Sequence, residues 1–498
     1  MGVYMRPNIF WILTDGTRNK PGKDKYGRFE VYYQFDKESI RFNTAISSGS
    51  ATLMSMISIL TGRFTSELYP DFTYLLEKGL VYPTYVDVLE KEGYNINSTI
   101  YDIGAGRTLF KLLNSHIGIK SGLATTKESF EEFMYIMNNK FDKEKSNFVF
   151  IHTGSNSDTD HYVKKILEYL KEQKLYDDSF VILSSDHGYV DYGRFHYLGW
   201  ALQPRTHSFY VDENTSQANL NIKLPSSLSE VKGKEVEVHV GLFDMFETIF
   251  DYLNIKYSCE NKKAESLKLL IEMSNEKTIN HFNERILRTD SRFSIQNHRK
   301  TRIVGKDKVF LVEYERNIQK IPKQLKEFYI KTEKEARNTS FKLIEEAYKK
   351  SDISKIKNKK IAVYNYNYRE FIDYLYSELK TNNNIVSVLD LKGIKKDYKK
   401  YDMIVAIVNN SEFHMFDKLV SFSKRKNINF KLLNSMFKEI KYKKYSYLKG
   451  ALNDPAIKNS RYGFLVNCYL YVMLLLVKFY ELHLLNKKRN YHPIIKSL

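Results

Sequence analysis

KKILEYLKEQKLYDDSFVILSSDHG (164–188) decides the fold. Its first half spaces apolar residues at helical period, and FVILSS (180–185) is a short apolar run of strand character that ends on the polar Asp186-His187-Gly188. Working outward, NIFWIL (8–13) and FVFIH (148–152) repeat the strand pattern, and amphipathic segments such as YVKKILEYLKEQ (162–173) lie between the strands. Such alternation predicts a mostly parallel sheet with helices on both faces and a ligand site beyond the carboxyl ends of the strands. The polar residues that follow the strands are therefore the candidates for chemistry.

Three separated pieces meet that description: Asp15 after the first strand, Thr52 in SSGSATLMSMISILTGR (47–63), and Asp186-His187 in SSDHG (184–188). Two carboxylates and an imidazole suit a divalent ion such as zinc or manganese. A threonine hydroxyl bound to that ion loses its proton more readily and becomes a nucleophile. A helix predicted over 52–60 would turn its positive N-terminal end toward an anionic substrate group. Each residue also has a plainer role: Asp15 as a helix cap, Thr52 as an N-cap, His152 as a core side chain and His239 as a border residue.

These stretches resemble the alkaline phosphatase superfamily, in its sulfatase and phosphodiesterase/phosphotransferase branch. PNIFWILTDGTR (7–18) is similar to that branch's opening strand and metal aspartate, and LTGR (60–63) to the end of its nucleophile helix. Residues 164–188 resemble its helix-strand-DHG stretch, HVGLFDMFETIFDYLNI (239–255) the helix after the sheet, and EFYIKTEKEARN (327–338) the closing segment of sulfatase domains. The resemblance covers about residues 6–345 and implies a mixed sheet sandwiched by helices. Counted back from Arg63, Thr52 falls where sulfatases carry the cysteine or serine that is oxidised to formylglycine, a change threonine cannot undergo. Met54 and Met56 replace the proline and arginine of the sulfatase motif, and Gly16 the usual second aspartate. Threonine here is similar to phosphodiesterases and to phosphoethanolamine or phosphoglycerol transferases.

The resemblance further implies a metal set of Asp15, Thr52, Asp186 and His187. A second ion would draw on Asp158 and His161 in HTGSNSDTDH (152–161), one residue closer together than in two-metal relatives. His196 falls about where the transferases keep a histidine after DHG, as a general acid or a ligand, with His207 as the alternative; His207, Arg205 and His152 are substrate-contact candidates, while Arg205 and Lys164, plausible phosphate contacts, read more readily as solvated charges. One ion and two ions both stay open. The expected activity is a metal-dependent hydrolase or transferase of phosphate esters, working through a phosphothreonine-type intermediate on a small-molecule, lipid or glycan substrate. Sulfate-ester hydrolysis and a non-catalytic scaffold are the alternatives.

Composition bounds the rest. At 498 residues the chain is too long for one ordinary core, and 43% hydrophobic with 28% charged residues excludes wholesale disorder and a polytopic membrane protein. The formal charge of +19 favours polyanionic partners, but no zinc finger, RNP-type motif or arginine-rich helix accompanies it, so specific nucleic-acid binding is not expected. Cys259 and Cys468 alone suit a reducing compartment, and MGVYMRPNIFWILTDG lacks the features of a secretion signal, so the expectation is cytoplasmic.

A catalytic domain is expected over 1–350, its part from 258 on built of charged helices around a hairpin in TRIVGKDKVFLVEYE (301–315). SDISKIKNKK (351–360) reads as a linker, and IAVYNY (361–366), IVSVLDL (385–391) and YDMIVAIV (401–408) as a small flavodoxin- or Rossmann-like domain over 361–440 without a GxGxxG fingerprint. FLVNCYLYVMLLLVKFYELHLL (464–485) is interrupted by Asn467, Lys478, Glu481 and His483 and precedes the basic NKKR (486–489). It reads as an amphipathic helix within 460–489 for an anionic membrane surface, at the inner face of the membrane, or for a partner. Oligomeric state is not legible.

Overall fold

The computed structural model describes residues 5–20, 27–80, 82–101, 118–123, 125–154, 158–189, 211–259, 261–273, 275–291, 299–305, 308–313, 321–364, 369–407 and 417–440. It divides into two compact units, Met1–Ser354 and Lys355–Leu498.

In the first unit β1 (Ile9–Thr14), β2 (Ile40–Ile46), β3 (Asn95–Tyr101), β4 (Gly118–Leu123), β5 (Asn147–Thr153), β6 (Phe180–Ser185), β7 (Gln217–Ala218), β8 (Leu220–Lys223) and β9 (Lys234–Gly241) build one mixed sheet. Their order is β4-β3-β5-β1-β6-β8-β2-β7, with β9 also paired to β2. Every residue of β1, β5 and β6 is buried, as continuous apolar runs in central parallel strands require. The expected mostly parallel, mixed sheet is present, and its mixed character enters at β7 and β8, β8 running antiparallel to both β6 and β2. That double reversal returns β2 to the direction of β6, so β1, β2, β5 and β6 all end at one edge.

Alternate residues of the central strands serve two cores. Phe10, Ile12, Val149, Ile151, Val181 and Leu183 face α1 (Glu30–Phe35), α3 (Thr126–Asn139) and α4 (Thr159–Glu172), where Val163, Ile166 and Leu170 supply the helical stripe. On the other face Trp11 lies 4.5 Å from the Phe150 ring and meets Phe246 edge-on at 5.3 Å. Phe246 belongs to α5 (Asp244–Tyr252), which packs beside α2 (Thr52–Thr61).

A second, antiparallel sheet follows: β10 (Leu287–Asp290), β11 (Lys300–Gly305) and β12 (Lys308–Glu313). The β11–β12 register closes at Gly305↔Lys308, the hairpin seen in the sequence. The 27-residue helix α6 (Lys323–Lys349) holds the EFYIKTEKEARN stretch.

The two units divide within the lysine-rich 351–360 stretch, where Asp352–Lys355 form a turn of 3-10 helix with Ile353 buried and β13 (Lys360–Tyr364) opens at the end. With β14 (Ile385–Leu389), β15 (Met403–Ile407) and β16 (Asn429–Leu433) it makes an all-parallel sheet in the order β14-β13-β15-β16. Helices α7 (Arg369–Asn382), α8 (Leu391–Asp397) and α9 (Asp417–Arg425) connect these strands, as parallel pairing demands. The amphipathic segment within 460–489 lies outside the described residues, among which no helix is long and apolar enough to cross a membrane.

Candidate active site

Register builds the site. Thr14 of β1 pairs with Ser185 of β6, so the next residue on each strand, Asp15 and Asp186, leaves the sheet side by side. On the other flank Asp15 donates its N–H to Thr153 O of β5 at 3.0 Å. His187 follows at once, and a ligand atom from each of Asp15, Asp186 and His187 falls within 4.8 Å of the others, the one such group among the described residues.

The loop that follows β2 brings in the fourth member. Thr52 is the first residue of α2, and Ala51 stands at the cap with no side-chain bond. The plainer reading of Thr52 as an N-cap is thereby corrected. Its hydroxyl instead donates to Asp15 Oδ1 at 3.1 Å and lies 3.4 Å from His187 Nε2. Asp15, which also does not cap a helix, is 30% exposed in its side chain, and Thr52 is 7% exposed, so the mouth of the site lies on the Asp15 side.

Two glycines make this geometry attainable. Gly16 sits at φ +58°, in the left-handed region, and from there donates its N–H to Asp186 Oδ1 at 2.9 Å. Gly188 is forced by close approach: a Cβ there would stand 1.8 Å from Asn214 O.

The donor set fits a divalent cation. His187 Nδ1 lies 2.5 Å from Gly188 O, which fixes the proton on Nδ1 and leaves the Nε2 lone pair facing the carboxylates. Nε2 is 3.2 Å from Asp186 Oδ2 and 3.9 Å from Asp15 Oδ1. Asp186 Oδ2 is buried and accepts no hydrogen bond. Asp186 and His187 are buried and Asp15 stands at the mouth, and the donor atoms they turn toward one another form a set that a positive ion would complete.

The remaining candidates are distributed differently. His152, on β5, is fully buried one layer beneath the site and stacks over Phe150 at 6.3 Å. Burial, against the opposing pull of Asp15 and with a smaller push from His187, drives its imidazole down to about 4, so it is neutral. Asp158 and His161 are not brought into the cluster: both are exposed at the start of α4, and His161 turns its ring to Tyr162. The residue of that stretch with an architectural role is Asp160, whose carboxylate accepts from the N–H groups of Glu30 and Val31 at 3.2 and 2.7 Å and ties α1 to α4. Lys164 is an exposed partner of Glu168, and His239 is half-buried on β9. His196, Arg205 and His207 lie outside the described residues.

Sequence reasoning also passed over Asp290. Its backbone grips the loop before Thr52, a contact between positions about 240 apart that no local pattern signals.

The sulfatase family model matches residues 139–255, which run from the end of α3 through β5, β6 and the DHG turn to the end of α5, and it supports assignment to the alkaline phosphatase superfamily. No curated protein matches the chain. Similar solved structures include BT4656 in complex with its substrate D-glucosamine-2-N,6-O-disulfate, at 12% identity over 67% of this chain and 98% of that one, TM-score 0.49. They include the lipoteichoic acid synthase LtaP from Listeria monocytogenes, at 11% identity over 67% and 91%, TM-score 0.48. A protein in the alkaline phosphatase superfamily from Vibrio parahaemolyticus follows at 13% identity over 62% and 77%, TM-score 0.45.

Proposed function

We propose that this chain, with its sulfatase-type domain of the alkaline phosphatase superfamily, is a metal-dependent hydrolase or transferase of phosphate esters that uses Thr52 as a covalent nucleophile. The observation that carries the reading is the Thr52 hydroxyl at the start of a helix, 3.1 Å from Asp15 Oδ1 and 3.4 Å from His187 Nε2.

A divalent ion, zinc or manganese, would be held by Asp15, Asp186 and His187 and would supply the positive charge that lowers the pKa of the adjacent hydroxyl and offsets charge on the ester. The chain's own residues supply the rest. The bond to Asp15 fixes the Thr52 rotamer, so that a lone pair on Oγ1 is free to meet phosphorus, and gives the hydroxyl proton an acceptor. The Oγ1–P bond forms as the bond from phosphorus to the leaving oxygen breaks. Water or an acceptor hydroxyl then attacks phosphorus from the vacated side, the Oγ1–P bond breaks, and the proton returns to Oγ1. Identity of the acceptor separates hydrolase from transferase. The N-terminal end of α2, with no side chain capping it, presents N–H groups toward the ester's anionic oxygens.

Threonine supports phosphorus over sulfur, since it cannot become formylglycine. The +19 charge supports an anionic substrate and peripheral work at an anionic membrane surface from the cytoplasmic side, on a lipid headgroup or lipid-linked glycan. The deciding assay compares bis(p-nitrophenyl) phosphate with p-nitrophenyl sulfate in the presence of manganese or zinc. The expected result is turnover of the phosphodiester alone; turnover of the sulfate alone would overturn the phosphorus assignment.

A further inference from the structure

We propose that Asp290, gripped by Arg288, is a positioning residue that sets where the Thr52 hydroxyl stands; the inference rests on Thr52 being the nucleophile. The loop Ser47–Ala51 between β2 and α2 has no ladder of its own and borrows one from the end of β10. Asp290 donates its N–H to Ser48 O at 2.9 Å and accepts from the Ser50 N–H at 3.2 Å, pairing across Gly49. Thr289 Oγ1 donates to Ser47 O at 2.6 Å, and the Thr65 N–H donates to Ser48 Oγ at 2.8 Å. From the other side Ser47 Oγ bonds Ser55 Oγ at 2.9 Å, and Ser55 Oγ donates to Asp186 O at 2.5 Å. The first turn of α2 is thus suspended between β10 and the backbone of a candidate metal ligand.

The side chain of Asp290 explains why β10 holds still. It is wholly buried, and it takes Arg288 Nε at 2.7 Å on one oxygen and Arg288 Nη2 at 3.0 Å with Thr301 Oγ1 at 2.6 Å on the other. Arg288, also wholly buried, donates onward to Thr332 Oγ1 at 2.8 Å and to Glu333 on α6, which Arg299 also meets. Attachment of a strand to a helix needs no buried charge, and apolar residues would achieve it without the desolvation cost. What the guanidinium fork adds is direction: it fixes the plane of the carboxylate, and so the two peptides whose N–H and C=O reach the loop. Asp290 touches no reacting atom in this scheme and acts through Thr52. Displacing a nucleophile by about 1 Å is enough to cost about a hundredfold in rate.

The test uses the full chain, manganese and bis(p-nitrophenyl) phosphate, with amide hydrogen exchange of residues 47–56 as a second readout that needs no turnover. Asp290→Asn is expected to lower kcat by about 10- to 100-fold with KM within about twofold, and to speed exchange in the loop. Thr301→Val, a milder change should Asp290→Asn not fold, is expected to lower kcat by about three- to tenfold in the same pattern. Glu335→Gln, which removes the nearby Lys263 pair on α6, is the control expected to stay at the wild-type rate. Unchanged loop exchange in both Asp290→Asn and Thr301→Val, or an effect confined to KM, overturns the proposal. Full activity in Thr52→Ala would instead remove the nucleophile reading, a failure distinguishable from the first.

Discussion

Two charge clusters among the described residues of the first unit are built on opposite principles. Beneath β10 and α6, Arg288 and Arg299 meet Asp290 and Glu333, with the more exposed Arg337 3.8 Å from Glu333 and with Thr301 and Thr332 on further lone pairs and protons. At the carboxyl edge of the large sheet, Asp15, Asp186 and the lone pair of His187 converge with no Lys or Arg among their described ion pairs, and one buried carboxylate oxygen accepts no hydrogen bond. The first cluster is electrically complete and holds shape. The second gathers donor atoms that could hold a cation, and such an open donor set is what a binding site has that a scaffold lacks.

The sharpest way to break this contrast is at Thr52. Thr52→Ala should lower turnover roughly a thousandfold while leaving the melting temperature near wild type, because the lost hydroxyl serves no helix cap. Rates close to wild type would make the edge cluster a binding site without a nucleophile.

Next comes Arg288→Met, which leaves Asp290 buried without its fork. It should cost about 4 kcal/mol of stability in urea unfolding, the range for breaking a buried ion network. The part of that network held by Glu333 should also weaken in acid. The guanidinium groups of Arg299 and Arg288 outweigh burial and hold Glu333 down to about 2, below its ordinary 4.5, so its stabilisation is present above pH 4.5 and fades as pH falls toward 2.

At the edge cluster the same logic predicts the reverse sign. Asp186→Asn should weaken manganese binding by about a hundredfold in calorimetry, yet raise the stability of the metal-free protein by about 1 kcal/mol, because it removes one of the converging negative charges. A loss of metal-free stability in that variant would mean the carboxylate is compensated and the contrast fails.

The smallest effect belongs to Glu67, buried on the 3-10 turn Thr65–Glu67 behind the nucleophile loop. Burial pushes its carboxyl up to about 7, with Lys263 at 3.6 Å and Arg288 and Arg63 pulling it down and Glu335 pushing it up. An acid raised in the folded state favours the fold when protonated, so stability should fall as pH rises from 4.5 to about 7. Glu67→Gln should flatten that fall by on the order of 1–2 kcal/mol, read from urea midpoints across pH.

Much of the large sheet was legible because its central strands are buried on both faces and therefore spell continuous apolar runs. Asp15 and Asp186 were legible for the same reason: a polar residue directly after such a run has left the core at the strand end. Thr52 was legible as a helix start, but its turn toward Asp15 rather than to its own backbone depends on the loop that β10 holds. The short β8 gave no sign of its reversed direction, since four residues of alternating character fit either sense. Asp158 and His161 illustrate the converse: residue types suited to metal sit in an exposed helical turn, beside Asp160, whose carboxylate takes the N–H groups of Glu30 and Val31. Asp290 was invisible because its meaning lies in pairs formed across the fold.

The most direct measurement is peptide mass spectrometry after wild type and Thr52→Ala are incubated with manganese and a phosphodiester donor. A phosphorus-containing adduct on Thr52, absent from the variant, is the predicted result. Turnover with Thr52 unmodified, and undiminished in the variant, would contradict the account.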